Sequence, residues 1–228
     1  SLQAIRESPE TIEDVLMIEL HNADCLDAMR LMEDDSFELA IVDPPYGIGM
    51  GSAMSSKREG DYRSKFDQKN WDNEIPTKEY FDQLKRVSKN QIIWGGNYMT
   101  DHLAPTKSWI VWDKNNGASL FGDGELAWTS YDKPLQIKRI HWVGSASIWE
   151  DTGGKIHPTQ KPVALYTWLL ERYAKPNDRI LDTHLGSGSI AIAAHNLGYD
   201  LTGYELDKDY YQAATQRLKQ HQKQLRMF

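Results

Sequence analysis

Cysteine is almost absent from this chain. Cys25 is the only one in 228 residues, so no internal disulfide can form and a reducing compartment suits it. The seven histidines show no ligand spacing, and no metal site is expected. No apolar run is long enough to span a bilayer and no signal-peptide pattern is present, so a membrane or exported protein is not expected. Positive charge is in deficit: 26 Lys and Arg against 33 Asp and Glu give a net charge of −7. That balance opposes indiscriminate coating of nucleic acid, which needs Lys and Arg on phosphates. Internal repeats and low-complexity tracts are missing as well. What is present is a 40% hydrophobic content, enough core for one α/β domain over residues 1–228.

The apolar run from Phe37 to Val42 reads as a buried strand, and Asp43-Pro44-Pro45-Tyr46 follows it. The carboxyl ends of strands are where open α/β sheets place their ligand crevices. Proline keeps a carbonyl acceptor but has no N–H, and it holds the residue before it extended. Asp43 and the Pro44 carbonyl can therefore both accept from an amino group on a flat ring, while Tyr46 offers a face for stacking. The alternative is a strand followed by an ordinary proline-rich turn.

Further along, Arg179 to Asp182 reads as a short strand, Thr183 to Ser189 as a glycine turn, and Ile190 to Leu197 as a helix closed by Gly198. A strand from Leu201 to Tyr204 then ends in Glu205. Gly186 and Gly188 let backbone approach a ligand, and the acid about 20 residues on is placed to grip a ribose hydroxyl pair. The third glycine of a dinucleotide fingerprint is missing, with Ile190 and Ala191 in its neighbourhood. A nucleoside ligand without phosphates, such as S-adenosylmethionine, fits that lack better than a dinucleotide. A third block, His157 to Pro162, precedes a helical pattern carried by Leu165, Trp168, Leu169 and Tyr173. It reads either as a plain proline-marked helix start or as a wall of the same pocket.

Taken together, DPPY at 43–46, HPTQKP at 157–162, LDTHLGSGS at 181–189 and GYELD at 203–207 resemble the permuted, β-group amino-methyltransferases that act on DNA. In that family the catalytic block precedes the cofactor block. The resemblance implies a Rossmann-like methyltransferase fold, α/β with a mostly parallel twisted sheet and circularly permuted motif order. It implies Asp43, Pro44, Pro45 and Tyr46 as the catalytic set and S-adenosyl-L-methionine as cofactor. The cofactor residues it implies are Asp24, Cys25, His157, Thr159, Lys161, Asp182, Gly186, Ser187, Gly188 and Glu205. One departure is that Thr183-His184 stands where the family usually has proline and an aromatic, and His184 is read as a packing or solvent residue. Asp24 also suits a helix N-cap, because Leu26, Met29, Leu31 and Met32 follow as one apolar face.

By the same resemblance the partner is DNA, and a homodimer and a cognate restriction enzyme are further expectations. The setting is the cytoplasm of a bacterium, or a phage-encoded enzyme. The acceptor is the exocyclic nitrogen of a flipped base. Adenine N6 is expected, since Asp heads the motif, while many cytosine-N4 relatives carry Ser. The alternatives are a cytosine-N4 enzyme and an inactive subunit that only recognises DNA. Two basic stretches can serve DNA: Lys57, Arg58, Arg63, Lys65 and Lys69, and then Lys133, Lys138, Arg139 and His141 with Tyr131 and Trp142. Ordinary solvated surface is the competing reading for both. A small target-recognition insertion is expected around 113–156. Gln91 to Trp94 and Trp109 to Trp112 read as strands, and Asn97 and Tyr98 as either base-pocket or loop residues.

Overall fold

The computed structural model describes residues 16–49, 72–117, 122–141, 156–157 and 159–225. The basic stretch at Lys57, Arg58, Arg63, Lys65 and Lys69, together with Trp142 and Pro158, lies outside the described residues. The strands are β1 (Ile18–His21), β2 (Leu39–Val42), β3 (Gln91–Trp94), β4 (Trp109–Asp113), β5 (Gly124–Thr129), β6 (Gln136–Arg139), β7 (Ile180–Asp182) and β8 (Leu201–Tyr204). Among the described residues the helices are α1 (Cys25–Leu31), α2 (Lys78–Val87), α3 (Val163–Tyr173), α4 (Ser189–Leu197) and α5 (Lys208–Leu225), with a 3₁₀ turn at Gly96–Tyr98.

The strands form one sheet in the order β1-β8-β7-β2-β3-β5-β4-β6 among the described residues. Only β5 runs against its neighbours; the other pairings are parallel. Parallel strands buried on both faces read as continuous apolar runs, and β2 is buried at all four positions. Alternation sorts its side chains: Leu39 and Ile41 join a core with α3, α4 and α5, while Ala40 and Val42 join one with α1 and α2. The result is a three-layer, Rossmann-like α/β fold. From β2 the chain crosses to β3 on one side, and from β7 to β8 on the other. The strand order therefore reverses between β2 and β7, and a crevice opens at their carboxyl ends. Asp43 leaves β2 there and Asp182 ends β7.

Local sequence sets the element ends. Asp24 caps α1, its Oδ1 accepting the Leu26 amide at 2.7 Å. Gly198, at φ 75°, closes α4 with its N–H on the Ala194 carbonyl. The described residues of 113–156, where a target-recognition insertion is expected, include two strands of the sheet. Of these, β5 lies between β3 and β4, and β6 is the strand beyond β4. Within that range, 118–121 and 142–155 lie outside the described residues. Among the described residues, no helix is long and apolar enough to cross a membrane.

Candidate active site

The turn after β2 is held by charge. Asp43 receives the Lys161 ammonium on Oδ2 at 2.6 Å and the Tyr46 hydroxyl on Oδ1 at 2.7 Å. Lys161 also donates to Glu125 Oε2 at 3.0 Å and to the Tyr46 oxygen at 3.2 Å. Lys114 donates to the other Glu125 oxygen at 2.8 Å. Two cations and two carboxylates thus close a compact, balanced group. The backbone of the turn is fixed by Asp72, whose Oδ1 accepts the amides of Tyr46 and Gly47 at 2.6 and 3.1 Å. The Tyr46 ring stacks on Tyr98, with centroids 5.2 Å apart at 17°.

Burial is the largest single influence on Asp43, Glu125 and Lys161, and it sets the net direction only for Asp43. It pushes the Asp43 carboxyl up; Lys161 pulls it down and Glu125 pushes it up again, leaving it above the usual carboxylate range. Burial acts on Glu125 in the same sense, but Lys161 and Lys114 outweigh it and hold that carboxyl at about 2. For Lys161, burial favours the neutral amine, yet the two carboxylates outweigh it and keep the ammonium protonated.

A cavity of about 910 Å³ opens beside Asp43 and extends over the ends of β7, β8 and β1. Glu205 stands on its wall with both oxygens on main-chain donors, Gly186 N and Asp207 N, each at 2.8 Å. Asp24 and Cys25 lie on the wall from the start of α1, and burial pushes the Cys25 thiol up to about 12. Ser187 lines it too, in a turn that α5 fastens through Arg217, which donates to the Ser187 carbonyl at 2.8 Å. His157 and Thr159 close another side; the His157 ring meets Tyr210 edge-on at 4.4 Å.

The site residues expected from sequence do not all face this cavity. Asp24, Cys25, Asp43, Pro45, His157, Thr159, Lys161, Gly186, Ser187 and Glu205 line it. Pro44, Tyr46, Asp182 and Gly188 are not among its lining residues. Lys161, expected on the cofactor side, lines the cavity and has its ammonium on Asp43. Asp182 is buried beneath the glycine turn, where its Oδ1 accepts the His184 amide at 3.0 Å and burial raises its carboxyl to about 8. Gly188 is the N-cap of α4 at φ 70°, and a Cβ there would sit 3.0 Å from that of Ala214. Its demand is the fit to α5. His184 is on the cavity wall, tied through Thr183 Oγ1 to the Tyr80 hydroxyl at 2.9 and 2.7 Å, and burial lowers its imidazole to about 4.

The second basic stretch is divided by the sheet. Lys133 lies by the C-terminal end of α3, over the Tyr173 ring at 4.5 Å, away from the rim. Lys138 stands over Trp168. Arg139 and His141 reach the rim, where Arg139 pairs with Asp113 at 2.7 Å and His141 bonds the Asn115 carbonyl at 2.7 Å.

Glu125 and Lys114 were not singled out by motif. A signal existed in alternation: Glu125 shares its face of β5 with buried Ala127 and Thr129, and an acid on a buried face needs a partner. Lys114 shares its face with buried Trp112 in the same way and lies over that ring at 5.2 Å.

Comparison with known proteins places this geometry. A family profile described as DNA methylase, of the N6/N4 type, matches residues 37–216. The type II methyltransferase M.HpaI of Haemophilus parainfluenzae is 24% identical, covering 86% of this chain and 72% of that protein. M.HinfI of Haemophilus influenzae is 26% identical, covering 92% and 70%. Among solved structures, the M1.HpyAVI complex with S-adenosylmethionine superposes with a TM-score of 0.57 at 23% identity, over 89% of this chain and 99% of that one. PvuII DNA methyltransferase, cytosine-N4-specific, gives 0.59 at 13% identity over 91% and 90%. These structural likenesses establish the Rossmann-like methyltransferase fold.

Proposed function

Since this chain belongs to the N6/N4 DNA methylase family, we propose that it moves a methyl group from S-adenosylmethionine to the exocyclic amino group of a base in DNA, with adenine N6 as acceptor. The observation that carries the reading is the position of Asp43. Its carboxylate stands at the strand-order switch, on the wall of a cavity whose far side holds Gly186 and Glu205.

The residues present suit the cofactor. The cavity is of the size that takes such a molecule. Glu205, pinned by two amides, presents a charged acceptor for a ribose hydroxyl pair. Asp24, on the cavity wall with His157 and Thr159, is the acceptor assigned to an adenine amino group in this reading. When bound, the cofactor supplies an electrophilic methyl group on a positively charged sulfur. The chain's own task is to hold the acceptor. Its amino nitrogen is a poor nucleophile because the lone pair is delocalised into the ring. Asp43 and the Pro44 carbonyl accept its two N–H groups, favour a more tetrahedral nitrogen and aim the lone pair; positioning and fixed charge carry the acceleration. A base within a duplex cannot reach this site, so it is flipped out and stacks on the Tyr46–Tyr98 pair. Recognition of the flanking sequence falls to the connections around β4, β5 and β6. Adenine is favoured because Asp heads the catalytic motif, as in the adenine enzymes of the family. The likeness to a cytosine-N4-specific structure keeps that acceptor as the second reading.

Labelled methyl transfer to unmethylated genomic DNA, followed by nucleoside mass spectrometry, tests this directly. N6-methyladenine is expected. N4-methylcytosine would replace the acceptor and keep the mechanism; label in RNA or protein alone would overturn the reading. The Asp43→Ala variant is expected to lose turnover by at least about a hundredfold while binding cofactor with near-native affinity by calorimetry. Binding without turnover in the native protein would mark an inactive recognition subunit.

A further inference from the structure

We infer that Glu125 is a positioning residue for methyl transfer: it takes a share of the Lys161 ammonium and so leaves Asp43 a strong acceptor for the substrate amino group. The inference rests on the catalytic assignment of Asp43 made above.

An ammonium has three N–H donors, and those of Lys161 go to Asp43 Oδ2 at 2.6 Å, Glu125 Oε2 at 3.0 Å and the Tyr46 oxygen at 3.2 Å. The Lys161 side chain is 2% exposed, so these three acceptors take the place of bulk water. Without Glu125 its charge would bear on Asp43 alone. With the ammonium so buried such a pair is tight, and a carboxylate so neutralised is a weaker hydrogen-bond acceptor. Glu125 prevents this only while it stays charged. Lys161 itself does most to keep it so, and Lys114, 7% exposed and 2.8 Å from Oε1, adds to this while drawing part of the Glu125 charge away from Lys161. Glu125 reaches Lys161 because β5 runs antiparallel beside β3 and starts at the rim, its Glu125 opposite Trp112 of β4. The one reversed strand thus brings a second carboxylate to the catalytic turn.

The groups that face Asp43 come from every neighbouring element. They are Tyr46 in its own turn, Lys161 and Tyr166 before and within α3, Glu125 on β5, Asp182 on β7 and Tyr80 on α2. Lys114 acts behind Glu125. Two substitutions in this set change charge with opposite sign. Glu125→Gln removes a negative neighbour and makes Asp43 more acidic. Lys114→Met removes a positive one and leaves Glu125 to compete harder for Lys161, which makes Asp43 less acidic.

The test is the pH dependence of kcat and of kcat/KM on DNA, with cofactor affinity measured by calorimetry. Glu125→Gln is expected to lower kcat roughly ten- to a hundredfold, to leave cofactor affinity near native, and to move the acid limb to lower pH. Lys114→Met is expected to move that limb to higher pH, and Glu125→Asp to restore most of kcat with the limb near its native place. Loss of activity in both variants without a shift of the limb, or with shifts of the same sign, would show a merely structural role and overturn the inference. So would native kinetics in Glu125→Gln. If Glu125→Gln does not fold, the direction of the Lys114→Met limb and the Glu125→Asp rescue decide the matter by the same criteria. Asp43→Ala run alongside separates the two levels. Turnover in that variant would sink the catalytic assignment itself, whereas a dead Asp43→Ala beside unshifted Glu125 and Lys114 variants would sink only the role given to Glu125.

Discussion

Tyr46 owes its place to a glycine outside its motif. Gly95 adopts φ 67°, and a Cβ built on it would lie 2.2 Å from Cε1 of the Tyr46 ring. Both facts exclude any side chain: the left-handed backbone disfavours one and the ring fills its space. Gly95→Ala is expected to destabilise the protein by about 1–3 kcal/mol from backbone strain alone. It should also push Tyr46 off Asp43 and Tyr98, so turnover should fall while cofactor affinity, set across the cavity, is kept. Thermal unfolding and calorimetry on the same sample check both halves. Much of the residue scale was legible in the chain, because Asp43, Gly186 and Glu205 announce themselves by residue type within short local segments. The partner of Lys161 was not legible. Its contact with Asp43 spans about half the chain, and no local pattern encodes which carboxylate a buried ammonium will meet.

At the scale of elements, β2 and β7 carry the two halves of the site and are tied at their starting ends. Glu38 accepts the Arg179 amide at 2.9 Å and its guanidinium at 3.2 and 3.3 Å, with Lys89 at 3.3 Å. Burial would raise this carboxyl, but Arg179 and Lys89 outweigh it and hold it at about 2. A depressed acid binds its proton more readily unfolded than folded, so the tie contributes its full stability above the unfolded carboxylate range. That contribution is lost as pH falls toward 2. Glu38→Gln is expected to lower Tm by about 2–4 °C at neutral pH, with the gap to native closing on acidification. Equal destabilisation at all pH values would show that charge is not the agent. Strand β2 was readable as an apolar run because both its faces are buried, and β3, β4, β7 and β8 were readable as short strands beside their turns. β5 and β6 escaped notice: β5 opens on glycine and an acid, and β6 alternates Gln, Ile, Lys and Arg at a sheet edge, with Ile137 64% exposed. Neither pattern separates a strand from a polar connection without its neighbours.

For the whole molecule, the net charge of −7 means that DNA must be met by local cations. The structure leaves Arg139 and His141 at the rim already engaged with Asp113 and Asn115. Under the proposed function, the phosphate contacts are expected from Lys57, Arg58, Arg63, Lys65 and Lys69, which lie outside the described residues. The double variant Lys57→Ala and Arg58→Ala is expected to weaken DNA binding to a similar degree on every sequence. It should lower the slope of log affinity against log salt by about 2, with cofactor affinity unchanged. An unchanged slope would move the phosphate contacts elsewhere.

The sequence by itself determined the family, the α/β class, the order of the catalytic and cofactor blocks, and the residues that punctuate them. These rest on local chemistry: where proline and glycine bend a chain, what a strand end exposes, and which side chains accept from an amine or a ribose. Only the tertiary structure decided that β5 runs backwards beside β3, that Lys161 belongs to Asp43, and that Glu125 and Lys114 complete the charge group around it. Those facts depend on strand order and on the balance of charges within a dry interior, and such a balance exists only once distant segments have been brought within a few ångströms.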